Sequence, residues 1–218
     1  MKRMYFSKKS LFISFEGIDG CGKSTQAKIL NEELKNLGYN SIILREPGGS
    51  IISEKIRNIL LHNHLKKISH KTEALLMAAS RAQLVEEVIK VKLKQDIIVI
   101  ADRYIDSTIA YQGGGRGLEI KILHQLNNFA TDNLIPDLTF LIDLEPMNAL
   151  KRRGVGDLDR IEKIGNNFQE KVREQYLKLA HNNKRFILID GEDSIENIHS
   201  MILNSVKRKA RDKNIEIQ

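Results

Sequence analysis

The sequence has a single cysteine, three prolines and no tryptophan among its 218 residues, and it lacks any apolar run long enough to span a membrane. Because only Cys21 is present, an internal disulfide and a cysteine-built zinc site are excluded, and a reducing compartment is favoured. The apolar run Leu11–Phe15 is too short for the core of a signal peptide, and a membrane helix needs roughly 20 apolar residues. We therefore expect a cytoplasmic protein with no membrane partner.

Lysine and arginine outnumber aspartate and glutamate by 35 to 28, which gives a formal net charge of +7. A basic surface favours an anionic partner, but it suits nucleotides and nucleic acids equally, so charge alone does not choose a function. Hydrophobic residues make up 41% of the chain, which is enough for one sizeable core. We expect a single domain over residues 1–218.

Short β-branched runs alternate with longer helical patterns, which predicts an α/β fold with a parallel sheet covered by helices. The predicted strands are Leu11–Phe15, Ser41–Leu44, Ile97–Ala101, Leu138–Asp143 and Phe186–Ile189. A helix is predicted at Lys23–Leu37, ended by Gly38, and a longer one at about Lys71–Lys94. The last twelve residues are basic and are predicted to be a frayed helix end.

The stretch LFISFEGIDGCGKST changes from an apolar strand pattern to a glycine-rich segment and then to a helix. In this context Gly17–Ser24 matches G-x-x-x-x-G-K-[ST], which is typical of a phosphate-binding loop. Inward-pointing N–H groups would cradle phosphates, with Lys23 at the β- and γ-phosphates of ATP and the Ser24 hydroxyl at Mg²⁺. The predicted ATP-binding residues are Gly17, Ile18, Asp19, Gly20, Cys21, Gly22, Lys23, Ser24 and Thr25.

Cys21 occupies a free position of this motif, so we interpret it as filler. The alternative is a reactive thiol, since a cysteine near a helix N-terminus ionises more readily.

A second candidate group follows the predicted strand Ile97–Ala101. Asp102 would leave that strand at its carboxyl end, where open α/β sheets bind ligands. It is placed to hold Mg²⁺ through the water shell of the ion, and Arg103 can form a fork on a phosphate. From these residues alone, an ordinary surface ion pair explains Asp102 and Arg103 equally well.

Six segments occur in order along the chain: FEGIDGCGKSTQ (15–26), REPGG (45–49), EALLMAASRAQLVEEVI (73–89), DRYIDSTIAYQGGGRG (102–117), PDLTFLIDL (136–144) and LDRIE (158–162). Together they resemble the thymidylate kinase family, which are ATP-dependent kinases of dTMP. REPGG and the DRY segment are specific for this family, whereas the phosphate-binding loop occurs in many other nucleotide-binding proteins. The resemblance implies a P-loop NTPase fold of the nucleoside monophosphate kinase type, with a five-stranded parallel sheet flanked by helices. It also implies conversion of dTMP to dTDP for dTTP biosynthesis.

The resemblance further implies which residues bind dTMP. Arg45 and Arg103 would grip its phosphate, and Arg81 would face the thymine edge. The family uses a carboxylate at the position of Asp19 for the 3′-hydroxyl, and Tyr111 would pack where a ribose 2′-hydroxyl would lie. The implied set is Asp19, Arg45, Met77, Arg81, Arg103, Ser107, Thr108, Tyr111 and Gln112.

The charged, glycine-containing segment at about residues 151–165 reads as a flexible lid. Gly20 stands where some family members carry a catalytic arginine, so the resemblance implies that the lid supplies this arginine instead. We favour Arg153. Arg152 and Arg160 remain alternative candidates for this arginine, because the lid is about one residue shorter than in the family before LDRIE. The predicted catalytic residues are Lys23, Asp102, Arg103 and Arg153, and the predicted Mg²⁺ ligands are Ser24 and Asp102.

Met77 departs from the family, which often has phenylalanine one turn before the base-reading arginine. We expect weaker stacking on thymine, although Met77 can also be an ordinary core residue.

Two other functions remain open from the sequence: a kinase of another nucleoside monophosphate, and a nucleotide switch or DNA-dependent ATPase, which the net charge would suit. No Asn-Lys-x-Asp run is present to read guanine. We expect ATP and dTMP as small-molecule partners, no nucleic acid, and a homodimer. The last expectation comes from the resemblance and from apolar residues on the helix that begins at Lys71.

Overall fold

The computed structural model describes residues 10–61, 68–154, 160–161, 164–215 and 217. Within these residues, five strands form one sheet: β1 (Phe12–Glu16), β2 (Ser41–Arg45), β3 (Ile98–Asp102), β4 (Leu138–Asp143) and β5 (Phe186–Asp190). Every neighbouring pair is parallel, and the order is β2-β3-β1-β4-β5. The predicted α/β fold with five parallel strands is therefore confirmed.

Four strands end one residue later than the sequence predicted, at Glu16, Arg45, Asp102 and Asp190. The expectation ended each strand where the apolar run ends. The ladder continues because backbone pairing does not depend on the side chain, and Arg45 still lies opposite Asp102 between β2 and β3. These polar last residues place charged groups at the carboxyl edge of the sheet.

Helices flank the sheet: α1 (Lys23–Asn36), α2 (Ile51–Leu61), α3 (His70–Leu84), α4 (Lys90–Lys94), α5 (Ile105–Thr108), α6 (Ile120–Thr131), α7 (Pro146–Arg153), α8 (Asn166–Asn182) and α9 (Ile195–Asp212). The predicted long helix is α3 followed by α4, joined through a π-helical segment at Val85–Ile89. A second π-helical segment, Ile109–Gly115, continues α5. None of the helices in the described residues has both the length and the apolar character needed to cross a membrane.

The centre of the sheet positions the site. Every residue of β1 and β3 is buried, as expected for strands covered on both faces. In the sheet, β2 and β3 lie on one side of β1, and β4 and β5 lie on the other. The connections that follow β1 and β4 therefore run in opposite directions, which leaves a crevice at the carboxyl end of β1. Open α/β sheets bind ligands at such a crevice.

The prediction of a frayed C-terminus was wrong for the described residues. Helix α9 continues to Asp212, and Ile215 and Ile217 are buried in the core. Lys213 Nζ lies 2.8 Å from the carboxylate oxygens of Asp137 and 3.0 Å from the Ser10 carbonyl oxygen. Basic composition suggested a solvated end, but two isoleucines and this ion pair fix the segment.

Candidate active site

The phosphate-binding loop connects β1 directly to α1. Gly17 has a φ of 142° and Gly22, just before α1, a φ of 100°, both values that residues with side chains rarely adopt. A Cβ on Gly17 would also lie 2.6 Å from the Ile142 carbonyl oxygen. Lys23 is buried, and its Nζ lies 3.3 Å from both the Ile18 carbonyl oxygen and Asp19 Oδ1. The loop therefore has the conformation of an anion cradle, with a lysine held inside it.

Cys21 lies within this loop. Its side chain is buried, and burial raises the pKa of its thiol, an effect that outweighs the nearby Lys23 ammonium. Because the thiolate is the reactive form, this environment disfavours a nucleophilic cysteine. The geometry supports the interpretation of Cys21 as a packing residue of the loop.

The two predicted metal ligands contact each other. The Ser24 hydroxyl donates a hydrogen bond to the Asp102 carboxylate, which joins the start of α1 to the end of β3. Mg²⁺ prefers oxygen ligands and usually keeps several waters beside a bound phosphate, so one hydroxyl and one carboxylate fit it. Among the described residues, no group of three or more histidine, cysteine, aspartate or glutamate side chains is placed to hold a metal ion.

One cleft collects all nine predicted acceptor residues. It has a volume of about 180 Å³ and lies at the carboxyl edge of the central strands. Its walls include Asp19, Arg45, Met77, Arg81, Arg103, Ser107, Thr108, Tyr111 and Gln112, together with Lys23, Ser24 and Asp102. Five of its lining side chains are cationic and three are carboxylates, so the cleft favours an anionic ligand. We call it the acceptor pocket.

Arg103 is held in the acceptor pocket by several hydrogen bonds. Its Nη1 donates to the Gly17 carbonyl oxygen at 3.0 Å, and its Nη2 donates to Asp19 Oδ1 at 2.5 Å and to the Tyr111 hydroxyl at 3.0 Å. Burial opposes ionisation of Asp19, but Arg103 and Lys23 outweigh it and hold the pKa of Asp19 far below its ordinary value. The carboxylate thus stays charged between two cations.

Arg81 lines the acceptor pocket and is almost fully buried. Its Nε donates to Glu46 Oε2 at 2.7 Å, and its Nη1 donates to Thr108 Oγ1 at 2.8 Å and to Asn127 Oδ1 at 2.7 Å. Its Nη2 donates to the Tyr104 carbonyl oxygen at 3.0 Å. These four bonds fix the guanidinium plane before any ligand arrives.

A second pocket, of about 400 Å³, lies on the other side of the phosphate loop. We call it the donor pocket. It is lined by Gly20, Cys21, Gly22, Lys23, Ser24, Thr25, Gln26, Arg152, Arg153, Ile195 and Ile198. Helix α7 crosses close to the loop, because a Cβ on Gly20 would lie only 2.3 Å from the Ala149 carbonyl oxygen. A side chain at position 20, including an arginine, therefore has no room beside α7.

The three arginines considered for the lid are not equivalent. Arg152 Nη1 donates to the Gly191 carbonyl oxygen at 2.5 Å, and Arg152 also pairs with Glu192. Arg153 lines the donor pocket from the last turn of α7. Arg160 lines neither pocket in the described residues and contacts Glu73. Of the predicted lid, residues 155–159 and 162–163 lie outside the described residues.

Sequence reasoning missed Glu16, which is completely buried at the end of β1. Its carboxylate accepts hydrogen bonds from the Tyr104 N–H, the Ser107 hydroxyl and the Tyr176 hydroxyl, at 2.6 to 2.8 Å. Burial, and next the nearby charge of Asp106, raise the pKa of Glu16 to about 7. The only available signal was a carboxylate directly after an apolar run.

Arg57 was missed as well. It lines the acceptor pocket from α2, and its Nη1 donates to the Pro47 carbonyl oxygen at 2.7 Å. The pattern of an amphipathic helix does not show whether a polar residue faces a ligand or only solvent. The sequence therefore gave no indication that Arg57 lines a pocket.

Comparison with known proteins gives consistent matches over most of the chain. A sequence profile described as thymidylate kinase matches residues 15–202. The thymidylate kinase of Thermosipho africanus is 51% identical over 198 residues, which cover 91% of this chain and 98% of that protein. The thymidylate kinase of a Thermoanaerobacter species is 49% identical over 201 residues, covering 92% and 98%. The crystal structure of thymidylate kinase from Ehrlichia chaffeensis is similar with a TM-score of 0.74 and 34% identity, over 90% of this chain and 98% of that one.

Proposed function

This chain belongs to the thymidylate kinase family, and we propose that its two adjoining pockets bind the donor and acceptor nucleotides end to end. The enzyme is a nucleoside monophosphate kinase that phosphorylates dTMP to dTDP with ATP. The observation that carries the site proposal is that Lys23 and Ser24 line both pockets. A phosphoryl group at this junction would be within reach of both nucleotides.

On the acceptor side, dTMP occupies the acceptor pocket with its phosphate toward Arg45 and Arg103. The fixed plane of Arg81 suits hydrogen bonding to the thymine edge, and Ser107, Thr108 and Gln112 lie on the same walls. Tyr111 lies against the sugar and disfavours a 2′-hydroxyl. Asp19 accepts the 3′-hydroxyl, since each carboxylate oxygen can accept more than one hydrogen bond.

On the donor side, ATP places its phosphates in the cradle, where Lys23 neutralises the β- and γ-phosphates. Ser24 and Asp102 would hold Mg²⁺, which would neutralise charge on the phosphates. The phosphate oxygen of dTMP is already a nucleophile, so the chain needs to position reactants and balance charge rather than supply a strong base. Arg153, a planar and permanently charged fork, stabilises the transferring group from α7.

An acceptor panel tests this assignment. We expect ADP formation from ATP and Mg²⁺ to be fastest with dTMP among dTMP, dUMP, UMP, CMP, GMP and AMP, and Lys23→Ala to abolish transfer while the melting temperature is retained. Activity retained by Lys23→Ala would remove the phosphate-loop argument. Stimulation of ATP hydrolysis by DNA in place of monophosphates would favour the ATPase alternative.

Separate variants of the two lid arginines on α7 test the role of Arg153. We expect Arg153→Ala to lower kcat by ~10³-fold with a smaller change in KM for dTMP, as for a group engaged mainly in the transition state. Arg152→Ala should have a milder effect, because Arg152 is bound to Gly191 and Glu192. The reverse ranking would transfer the role to Arg152.

A homodimer in the cytoplasm is part of the same proposal. Its support is a set of exposed apolar side chains on the neighbouring helices α2, α3 and α6, namely Ile52, Ile59, Leu75, Ile122 and Phe129. Sedimentation equilibrium should give twice the monomer mass, and Phe129→Glu should shift it toward the monomer. The cytoplasmic location stays a prediction that cell fractionation can check.

A further inference from the structure

Glu73 is a completely buried carboxylate that joins three separate segments. Its Oε1 accepts hydrogen bonds from Gln112 Nε2 and Arg116 Nε, each at 3.0 Å. Its Oε2 accepts from Arg116 Nη2 at 2.9 Å and from Arg160 Nη2 at 2.6 Å. Burial alone would favour the neutral acid, but the Arg116, Gln112 and Arg160 bonds outweigh it and lower the pKa of Glu73. Glu73 is therefore an ionised anchor inside the protein.

Arg160 connects this anchor to the end of α2. Its Nε donates to the Leu60 carbonyl oxygen at 2.8 Å, and its backbone N–H donates to the Leu61 carbonyl oxygen at 3.4 Å. Carbonyls in the last turn of a helix lack partners within that helix, so this arginine satisfies two that would otherwise need water. One side chain thus ties α2 to Glu73 of α3.

The residues beside these contacts form part of the acceptor pocket. Leu61 and Ile161 both line it, and so does Gln112, which shares the Glu73 carboxylate. Ile161 is 6% exposed, so its side chain is held inward at the place where Arg160 is bound. Leu61 and Ile161 form an apolar wall of the acceptor pocket beside the contacts of Arg160, which itself lines neither pocket among the described residues.

We propose that Arg160 and Glu73 are positioning residues for the acceptor nucleotide: their ion pair fixes the apolar wall of Leu61 and Ile161 against it. The pair acts on acceptor binding and not on the transferring phosphoryl group. This inference rests on the proposed function, because it takes the acceptor pocket to be the site of dTMP.

Steady-state kinetics of Arg160 variants tests the proposal. Arg160→Gln should raise KM for dTMP about tenfold, since it removes a charge-assisted hydrogen bond, with KM for ATP and kcat changed by less than about threefold. Arg160→Lys, which can keep one contact to Glu73, should recover part of the lost affinity. A large fall in kcat with unchanged KM for dTMP, or no change in any parameter, would overturn the proposal.

Arg173→Gln is the matched control. Arg173 also pairs with carboxylates, Asp143 and Glu145, and its side chain is 25% exposed, close to the 20% of Arg160. Arg160→Gln should lose at least as much thermal stability as Arg173→Gln, because Glu73 is completely buried whereas Asp143 and Glu145 are 20% and 60% exposed. Only Arg160→Gln should raise KM for dTMP. If Arg173→Gln raises KM for dTMP equally, the effect of Arg160 is general destabilisation and the proposal fails.

Glu73→Gln adds a coupling test. If the pair acts as a unit, Glu73→Gln combined with Arg160→Gln should raise KM for dTMP no further than Glu73→Gln alone. If the rise in KM for dTMP in the double variant equals the product of the rises in the two single variants, the two residues do not act as a unit. Should Glu73→Gln fail to fold, the Arg160 series and its control still decide. The whole series is run with the best acceptor that the wild-type enzyme shows in the panel, so a wrong acceptor would refute the proposed function without deciding this inference.

Discussion

The Arg103 guanidinium lies against the Asp19 carboxylate, with Nη2 2.5 Å from Oδ1. The same Oδ1 is 3.3 Å from Lys23 Nζ, so one carboxylate lies between the cation assigned to the donor and a cation assigned to the acceptor. Arg103 has a φ of 74°, unusual for a residue with a side chain, and this directs it back over the loop. Asp19 therefore sets the relative orientation of both cations.

Asp19→Asn should lower kcat by at least about tenfold, because the amide cannot hold two cations in place for the transition state. KM for dTMP should change less, since the amide oxygen can still accept the 3′-hydroxyl and Arg103 keeps its bond to the Gly17 carbonyl oxygen. Tyr111→Phe is the control, because it removes the hydroxyl that bonds to both Asp19 and Arg103 and leaves their charge pair intact.

The low pKa of Asp19 adds a condition to this prediction. The carboxylate should remain ionised throughout the pH range in which the enzyme is folded, so no acidic limb of the pH–rate profile should belong to it. An acidic limb that disappears in Asp19→Asn would contradict this.

The phosphate loop could be predicted from the sequence because its determinants are local. Glycine spacing, a preceding strand and a following helix all lie within Leu11–Leu30, and backbone geometry follows from them. The acceptor residues came instead from the resemblance, since they lie on different elements that meet only at the sheet edge. Their roles remain predictions, although one pocket collects them.

Glu16 and Glu73 could not be found in this way. Glu73 bonds to residues 39, 43 and 87 positions away, and no periodicity in α3 distinguishes an inward carboxylate from an exposed one. Charged residues are assigned to the surface by default, and they are buried here because partners from distant segments compensate them. The local sequence does not show which distant residues will pair with a given carboxylate, and this pairing decides whether the carboxylate can be buried.

Asp102→Asn should raise the Mg²⁺ concentration needed for half-maximal activity by about tenfold or more. The reason is that it removes the carboxylate that is bonded to Ser24 in the proposed metal site. Titration of Mg²⁺ at saturating ATP and dTMP measures the change, and chelation followed by Mg²⁺ should restore wild-type activity. An unchanged Mg²⁺ requirement would place the ion elsewhere. Glu87→Gln, an exposed position away from both pockets, is the control.

Arg57→Gln should raise KM for dTMP by about five- to tenfold and leave KM for ATP unchanged. Of the two pockets, Arg57 lines only the acceptor pocket, and its bond to the Pro47 carbonyl oxygen fixes it to the loop that follows β2. Arg57→Lys should retain much of the affinity for dTMP if the positive charge of Arg57 is what binds the nucleotide. It should retain less if the planar guanidinium group is needed. Equal KM values for dTMP in the wild type and Arg57→Gln would show that Arg57 only supports the loop.

Glu16 should make the protein less stable as pH rises. Its pKa rises from 4.5 to about 7 on folding, so the native state binds more protons than the unfolded state between these values. Stability associated with Glu16 is therefore fully present below about pH 4.5 and is lost as pH rises through 7, by up to about 3 kcal/mol. Asp106, Arg103 and Tyr176 also act on the Glu16 carboxyl, so the effect of Glu16 is isolated by comparing the wild type with a variant at this position.

Urea unfolding of the wild type and Glu16→Gln at pH 5, 6, 7 and 8 measures this effect. The wild-type free energy of unfolding should fall more steeply than that of the variant over this range, whatever the absolute stability of the variant. Glu87→Gln, with an exposed carboxylate, should follow the wild type. Parallel curves for the wild type and Glu16→Gln would show that Glu16 is ionised in the folded protein at all these pH values.

Met77→Phe should lower KM for dTMP two- to tenfold. Met77 is half-buried on α3 and lines the acceptor pocket, so its flexible side chain can reach a base but is less well fixed than an aromatic ring. A sulfur–aromatic contact contributes roughly 0.3 to 1.5 kcal/mol. Stacking of two rings contributes a similar amount beyond the area that it buries, and it loses less side-chain freedom. Met77→Ala provides the opposite change and should raise KM for dTMP. If neither variant alters KM for dTMP while Met77→Ala lowers the melting temperature, Met77 is a core residue and thymine is held by other contacts.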